Sequence, residues 1–484
     1  MKTPFFSPWR AQLAALGRRT TQRLRQVTLA QLSEQLAGLI PAHLLASEEQ
    51  GPNSRERIYS LRLTFECFVW QLLNPHTSCR EVVRQVQALC RLQARPPVDE
   101  GTSAYIQARQ RLPRERFEQV LKATALAADQ RTGALGYLAG RPVKVVDGST
   151  VQLPDTPANQ KVYPQPSTQK PGCGFPVMRV VVLFSLASGA LLEVALGSLL
   201  SHDMRVFARL WQTLRSGDIL LGDRGFGNFP TVAQLPRQGV DVLARLHQRR
   251  KGDFRKAKRL GTNDGLFVWR KDYQQSAVLT AAQWRALPEQ ITVRIVRFRT
   301  TIRGFRHRKV TLVTTLLDPQ IYPAEELAAL YGRRWRLELC LRDVKTTMGM
   351  ELLRCQSPAM ARKEVLAYFI AHNLVRCVMA QAALLHDAAL DRLSFKGTLD
   401  ALRQYSAAIA RARLRKLRRQ LWQDLLLNLV RDQVPLRPHR REPRAVKRRP
   451  KQYPLLTRPR RQFIEVQHRG RYWKARPRNY RALN

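Results

Sequence analysis

Residues 180–200 read VVVLFSLASGALLEVALGSLL, and this apolar stretch limits the choice of fold. Its length would suffice to cross a bilayer. However, Ala187-Ser188-Gly189 is a turn signal at its centre, and Glu193 interrupts its second half. Valine-rich halves on either side of a turn are typical of a buried β-hairpin. We therefore predict two paired strands here, and no membrane span.

Short apolar strands and helical segments alternate around this hairpin. Residues 143–147 (VKVVD), 218–223 (DILLGD) and 240–246 (VDVLARL) have the composition of buried strands. Residues 204–214 (MRVFARLWQTL) and 229–238 (FPTVAQLPRQ) have helical character. This order predicts an α/β fold, with a mixed sheet and helices on both of its faces.

The character of the sequence divides the chain into three regions. Residues 1–135 have helical periodicity punctuated by arginines and are expected to form a helical domain, which is either a bundle with solvated charge or a DNA-binding domain. Residues 136–385 are the α/β domain, interrupted at about 248–320 by a stretch in which apolar and basic residues alternate, which predicts an all-β insertion with one basic face. Residues 386–484 are first helical and basic and then Pro/Arg-rich, and are expected to be partly disordered until they meet DNA.

The charge of the chain points to a polyanionic partner. Lys and Arg number 83 against 36 Asp and Glu, which gives a net charge of +47. A surface this basic repels itself, so nucleic acid is the first expected partner and an anionic membrane surface the second. Basic clusters at 249–259, 411–419 and 437–451 are expected to contact the DNA backbone rather than to read its sequence.

The cysteines indicate the compartment. There are seven, an odd number, and no two of them form a CxxC pair. That pattern argues against a disulfide framework and against a zinc site, and it favours the reducing cytoplasm.

Acidic residues are scarce, so the positions of Asp147 and Asp223 are informative. Each is predicted to end a β-strand, beside a glycine, at the edge of the sheet where ligands bind in α/β folds. An aspartate beside a glycine is equally typical of an ordinary turn. Neither aspartate alone identifies a catalytic site.

The most specific pattern lies in a predicted helix at 324–349, AEELAALYGRRWRLELCLRDVKTTMG. Tyr331, Arg334, Glu338 and Lys345 follow one another at spacings of 3, 4 and 7 residues, which puts all four on one face. A neighbouring apolar stripe can seat the helix on the sheet and consists of Leu330, Leu337, Leu341 and Val344. The alternative is a solvated face with an ordinary ion pair between Glu338 and Arg334 or Lys345.

The spacing Tyr-x2-Arg-x3-Glu-x6-Lys resembles the signature of DDE transposases of the bacterial insertion-sequence family 4. GDRGF at 222–226 and VVDGST at 145–150 are similar to the blocks around that family's second and first catalytic aspartates. The resemblance covers at least residues 140–350. It implies a ribonuclease H-like fold, with the β insertion before the last catalytic helix, and a metal-dependent DNA endonuclease and strand transferase.

The resemblance also implies the roles of the site residues. Two Mg²⁺ or Mn²⁺ ions per active site are expected, because hard oxygen ligands suit these ions and because paired metals promote in-line displacement at phosphorus. The catalytic residues and metal ligands would be Asp147, Asp223 and Glu338. The contacts to DNA phosphates would be Tyr331, Arg334 and Lys345.

By the same resemblance, the partner is double-stranded DNA, both the terminal inverted repeats of the element and the target, bound by a homodimer in the cytoplasm at the bacterial nucleoid. A freed 3′-OH would attack the opposite strand to form a hairpin, and reopening of the hairpin would free the 3′-OH again to join target DNA. Relatives that form hairpins stack a tryptophan of the last insertion strand on a flipped base, but KVTLVTTLL at 309–317 has no aromatic residue and has Val310 near that position. Trp269, Trp284 and Phe305 are the candidates for base stacking, or else they are core or sheet residues.

Two other functions are compatible with these residues. A DNA-binding protein that had lost catalysis would keep the fold and the charge. A nuclease that cuts without joining would use the same three acids. The presence of all three acids with the complete four-residue signature favours an active transposase.

Overall fold

The fold is seen in a computed structural model, which describes residues 39–46, 58–92, 96, 98–133, 135–250, 252–276, 278–299, 309–412, 414–435, 456, 458, 459 and 462. Inside helices, the side chains of residues 335–337, 407 and 410 are not described. Phe305, the basic cluster 437–451 and the first 38 residues therefore lie outside the described residues, as does the side chain of Leu337.

Within the described residues, ten strands form one mixed sheet. In chain order they are β1 (Tyr137–Leu138), β2 (Arg141–Gln152), β3 (Val177–Ser185), β4 (Leu191–Ser198), β5 (Ile219–Gly222), β6 (Asp241–Arg245), β7 (Lys258–Gly261), β8 (Asp264–Arg270), β9 (Gln290–Arg299) and β10 (Lys309–Thr314). Their spatial order is β4-β3-β2-β5-β6-β10-β9-β8-β7, with β1 beside β2. Strand β5 runs parallel to β2 and β6, and the other pairs are antiparallel.

The described α-helices are α1 (Leu61–Leu73), α2 (Cys79–Leu92), α3 (Ser103–Arg111), α4 (Arg114–Gln130), α5 (Pro157–Val162), α6 (Asp203–Phe207), α7 (Phe229–Gln234), α8 (Ala281–Arg285), α9 (Ala324–Arg342), α10 (Pro358–Leu385), α11 (Phe395–Arg411) and α12 (Arg415–Arg431). Short 3₁₀ segments extend α6 and α7. The mixed sheet with its helices confirms the predicted α/β class.

The apolar stretch that could mimic a membrane span is the β3–β4 hairpin, as predicted, with Val180 opposite Leu196. A different segment, α10, is long and apolar enough to cross a membrane by length and composition. However, 89% of its most apolar window is buried inside the protein, so α10 is a core helix.

The sheet separates two hydrophobic layers, because successive side chains of a strand point to opposite faces. On one face, Val143 and Val145 of β2 pack in the same core as α9 and α10. On the other face, Val146 and Leu220 pack with α6 and α7. The sheet is therefore covered by helices on both faces.

One continuous core crosses both boundaries predicted between the regions of the chain. Phe65 of α1, Val145 of β2 and Leu425 of α12 all belong to it. The N-terminal helices add a smaller cluster of their own around Trp70. Helices on either side of the α/β region are thus packed onto it rather than folded as separate units.

The insertion differs from the predicted all-β unit in two ways. Its last strand, β10, pairs with β6, so the insertion continues the main sheet. It also contains α8, which begins at a capping box formed by Thr280 and Gln283 and buries Trp284 against Phe229. The cap and the aromatic contact explain a helical turn that the alternating pattern around it did not indicate.

One arginine of the insertion does not lie on a basic face. Arg294 of β9 is fully buried, and its Nε donates to Asp264 Oδ1 at 2.8 Å. Its Nη1 donates to the carbonyl of Tyr322 at 2.7 Å and to that of Asp318 at 3.3 Å, in the segment that leads into α9. The Arg294–Asp264 pair therefore ties the insertion to the start of α9.

Asp264→Ala should lower the free energy of unfolding by about 3–5 kcal/mol, because it leaves the buried Arg294 without its counter-charge. The matched control is Glu289→Ala, which breaks the pair with Lys271 but removes a carboxylate that is 84% exposed. That change should cost less than about 1 kcal/mol. Thermal and urea unfolding measure both, and equal small losses would contradict the anchoring role.

Candidate active site

Three polar residues lie in one row across adjacent parallel strands. Val145 of β2 is opposite Leu221 of β5. Two residues further on come Asp147 of β2 and Asp223, which directly follows β5, and the charge of Asp223 acts on Asp147. Since Gly222 is opposite Ala244, Arg245 of β6 extends the row.

Asp147 differs from its prediction, because it does not end its strand. Strand β2 continues to Gln152 along β3, and Asp147 pairs with Val182. The parallel pairing of β2 with β5, in contrast, ends at Val145. Asp147 thus lies just beyond the parallel pairing, where β2 loses one neighbour, and Asp223 directly follows the end of β5, as predicted.

The row lies on the face of the sheet that α9 covers. Val145, Leu221 and Leu243 each precede a row residue by two positions, and all three belong to the core on the α9 side. Because strand side chains alternate, the row residues point the same way. Helix α9 contacts β2, β5 and β6 and buries Leu327 and Leu330 against that core.

Glycine amides orient both aspartates. Asp147 Oδ1 accepts from the backbone N–H of Gly148 at 2.9 Å. Asp223 Oδ1 accepts from the backbone N–H of Gly225 at 2.7 Å. These contacts fix one oxygen of each carboxylate.

Arg334 of α9 pairs with Glu338 one turn later. Its Nη2 donates to Glu338 Oε1 at 2.6 Å, and the two side chains are 9% and 35% exposed, respectively. Burial by itself would lower the pKa of Arg334, but Tyr331, Glu338 and Asp147 raise it above its ordinary value. Arg334 therefore supplies a positive charge that acts on two of the acids, Glu338 and Asp147.

The acids also act on each other. Burial raises the pKa of Asp147 to about 6, and the negative charges of Glu338 and Asp223 add to that rise, while Gly148 and Arg334 oppose it. Glu338 and Asp223 thus both act on Asp147. The three carboxylates, from β2, from the end of β5 and from α9, therefore belong to one electrostatic cluster.

The last signature residue, Lys345, does not lie in the regular α-helix, but its side chain contacts β2 close to Asp147. The regular α-helix ends at Arg342, and Asp343–Thr347 form a π-helical turn in which Met348 N–H donates to the Asp343 carbonyl at 3.0 Å. From this turn Lys345 Nζ donates to Ser149 Oγ at 2.9 Å. The sequence predicted a continuous α-helix, whose spacing gave no sign of the extra residue in the turn.

Comparison with known proteins identifies the family of the chain. Residues 138–374, about half of the chain, match the family described as Transposase DDE domain. The chain belongs to the DDE transposases. It is 26% identical over 399 residues to "Transposase InsG for insertion sequence element IS4" of Escherichia coli K12, covering 81% of this chain and 87% of that protein.

A more distant structural likeness is to a chain of a cryo-EM structure of the piggyBac transposase synaptic complex with hairpin DNA. It covers 85% of both chains at 11% identity and a TM-score of 0.40. At that score, it supports no conclusion about this transposase.

Two residues that the sequence did not single out lie beside the acids of this transposase. Arg245 shares the row with the aspartates, and burial and the nearby Arg224 lower its pKa. Ser149 holds Lys345. The signal for Arg245 was present, since it stands at the end of the third parallel strand as Asp223 does at the end of the second.

The tryptophans proposed for base stacking lie elsewhere. Trp269 and Trp284 are 7% and 8% exposed, and both pack in the core on the face opposite α9. Trp269 lies five residues along β8 from Asp264, which corresponds to about 17 Å of extended strand between these two residues. Another aromatic on the α9 side of the sheet is Phe298, which pairs with Val310.

The three acids form a possible donor set for a divalent cation. Carboxylates are the hard oxygen ligands that Mg²⁺ and Mn²⁺ prefer. Among the described residues, however, no three His, Cys, Asp or Glu side chains are close enough to hold an ion as they stand. Glu338 is directed to Arg334 instead, so the residues suit a metal once that contact opens.

Asp147→Asn should stabilise the metal-free protein at neutral pH. The folded-state pKa of Asp147 is about 6 against an ordinary 3.8, so its carboxylate increasingly opposes folding as the pH rises from about 4 to about 6 and opposes it fully above that. In the half-buried site, the gain should be about 1 kcal/mol near pH 7.5 and should vanish below about pH 4.

Thermal melts in chelator at both pH values measure this difference. Asp424→Asn, at an exposed position of α12, is the control for the change in net charge and should show no such pH dependence. A loss of stability in Asp147→Asn at neutral pH would contradict the electrostatic account.

Proposed function

We propose that this transposase moves an insertion sequence by cut-and-paste transposition, with metal-dependent phosphodiester cleavage followed by strand transfer. The observation that supports the proposal most strongly is the register of β2 and β5, in which Val145 is opposite Leu221, so that Asp147 and Asp223 each follow by two residues on the side of the sheet that α9 covers. Glu338 of α9 is electrostatically coupled to the pair. The 26% identity to the IS4 transposase supports the same function.

Asp147, Asp223 and Glu338 would hold two divalent cations. When bound, these ions would activate the attacking oxygen and stabilise the leaving oxygen of an in-line displacement at phosphorus. Gly148 and Gly225 keep one oxygen of each aspartate engaged, so that the other oxygen remains available to a ligand. The partial exposure of Glu338 leaves its carboxylate accessible from solvent.

The basic residues around the acids would hold the DNA backbone. Arg334, Lys345 and, from the structure, Arg245 surround the acid cluster. Cations in this position contact phosphates near the scissile bond and fix its orientation without reading sequence. Because two element ends are joined to one target, we expect a homodimer in the DNA complex.

Tyr331 would contact a phosphate rather than attack one. Burial raises its pKa above the ordinary tyrosine value, and Asp223 adds to the rise, although Arg334 and Arg245 oppose it. A phenol that is harder to ionise is a poor nucleophile at neutral pH. The first nucleophile is therefore water, and the second is the 3′-OH that cleavage frees.

Asp147→Ala, Asp223→Ala and Glu338→Ala should each abolish Mg²⁺-dependent nicking of the element end and strand transfer into a plasmid, because each removes a metal ligand. DNA binding in gel-shift assays should persist, because the basic surface remains. Asp424→Ala, which removes an exposed acid of α12, should retain both activities.

Two outcomes would decide between the alternatives. Full cleavage by Glu338→Ala would contradict the assignment of the site. Cleavage by the unmodified protein without any strand transfer would identify a nuclease that cuts without joining.

The hairpin step would use Phe298. Arg245 is opposite Leu312, which in turn is opposite Val296, and Phe298 lies two residues beyond Val296 on the α9 side. Phe298→Ala should leave the first nick intact and reduce hairpin formation roughly tenfold, since base–aromatic stacking is worth about 1–3 kcal/mol. Phe298→Trp should retain hairpin formation. Denaturing gels of end-labelled DNA separate nicked from hairpin strands, and unchanged hairpin yield in Phe298→Ala would exclude this role.

A further inference from the structure

Arg334 occupies the position that the proposed function gives to a cation. Its guanidinium donates to Glu338 at 2.6 Å, and its charge also acts on Asp147. It therefore bridges, by charge, the two carboxylates that come from different elements.

The guanidinium is held but not fully satisfied. Arg334 is 8% exposed, and its Nε is buried without a hydrogen-bond partner in the described part of the chain. Its guanidinium carbon lies 5.6 Å from the centre of the Tyr331 ring. A buried donor without a partner raises the energy of this arrangement and favours exchange for one with a stronger acceptor, such as a phosphate.

The charges of the site are already offset without a metal ion. Arg334 acts on two of the acids, Arg245 has Arg224 and Arg334 near it, and Lys345 is held by Ser149 of β2, so the basic side chains at the site are at least as many as the three acids. Divalent cations added to this cluster would create an excess of positive charge. Phosphates of bound DNA would remove that excess, so the binding of metal and the binding of DNA must favour each other.

We propose that Arg334 is a placeholder cation. In the DNA-free transposase it pairs with Glu338, in the place of a metal ion. When Arg334 moves to a DNA phosphate it releases this carboxylate, so that DNA binding completes the metal site. This inference rests on the proposed metal-dependent function. It gives Arg334 two successive partners and couples the assembly of the site to the presence of substrate, which would limit metal-dependent cleavage before DNA is in place.

The test is Mn²⁺ binding to the full-length, DNA-free protein, measured from the EPR signal of free Mn²⁺. Arg334→Gln should bind Mn²⁺ roughly tenfold more tightly than the unmodified protein, because Glu338 no longer has a competing partner. The matched control is Arg342→Gln, which removes an exposed charge from the same helix 4.0 Å from Asp343. It should change the affinity less than about twofold.

A second arm adds a duplex of the element end. DNA should tighten Mn²⁺ binding to the unmodified protein by a similar factor, and Arg334→Gln should gain much less from DNA because its Glu338 is already available. Arg334→Lys, which retains the charge but not the planar fork, should lie between the two. It provides the same comparison should the glutamine variant fold poorly, which thermal melts detect.

The outcomes separate this proposal from the proposed function. Equal Mn²⁺ affinity in Arg334→Gln and the unmodified protein, or an equal gain from DNA in both, would overturn the placeholder role and leave the metal site standing. No Mn²⁺ binding to any protein, with or without DNA, would overturn the metal-dependent function and the placeholder role together.

Discussion

The parallel pairing of β2 with β5 is the constraint on which the active site depends. It places Asp147 and Asp223 on the side of the sheet that α9 covers, and the pairing of β5 with β6 adds Arg245 to the same row. A slip of one residue in β2 would move Asp147 to the other face of the sheet, away from α9. Leu327, Leu330 and Leu341 of α9 then fix the helix over this row, so that core packing, rather than attraction between the functional groups, brings Glu338 to the aspartates.

The same packing gathers charges that oppose folding. Burial and mutual repulsion raise the pKa of Asp147, and Arg245 shares its surroundings with Arg224 and Arg334. Acids and bases therefore alternate in the cluster, and each sign offsets the other in the absence of ligand. Such a site is less stable than an apolar surface of equal size, and the large core shared by the sheet and the flanking helices supports it.

Much of this site was predictable from sequence because its determinants are local. Strand composition predicted β3 and β4, and helical spacing placed Arg334 and Glu338 on one face. The rest depends on tertiary contacts. Asp147 lies inside β2 because β3 continues to pair beyond it. The π-helical turn at Lys345 has no residue pattern that would distinguish it from a continuous α-helix. Phe298 was overlooked because only the cross-strand pair with Val310 shows its position on the α9 side of the sheet.

The central claim is that carboxylates of this row hold the metal ions that act on the scissile phosphate. Replacing one non-bridging oxygen of that phosphate by sulfur tests it most directly, because Mg²⁺ binds sulfur poorly whereas the softer Mn²⁺ accepts it. We predict that the substituted element end is cleaved far more slowly than oxygen DNA in Mg²⁺, for one of the two sulfur stereoisomers, and that Mn²⁺ restores cleavage. Equal rates for both stereoisomers and oxygen DNA in Mg²⁺ would contradict direct metal contact with the scissile phosphate.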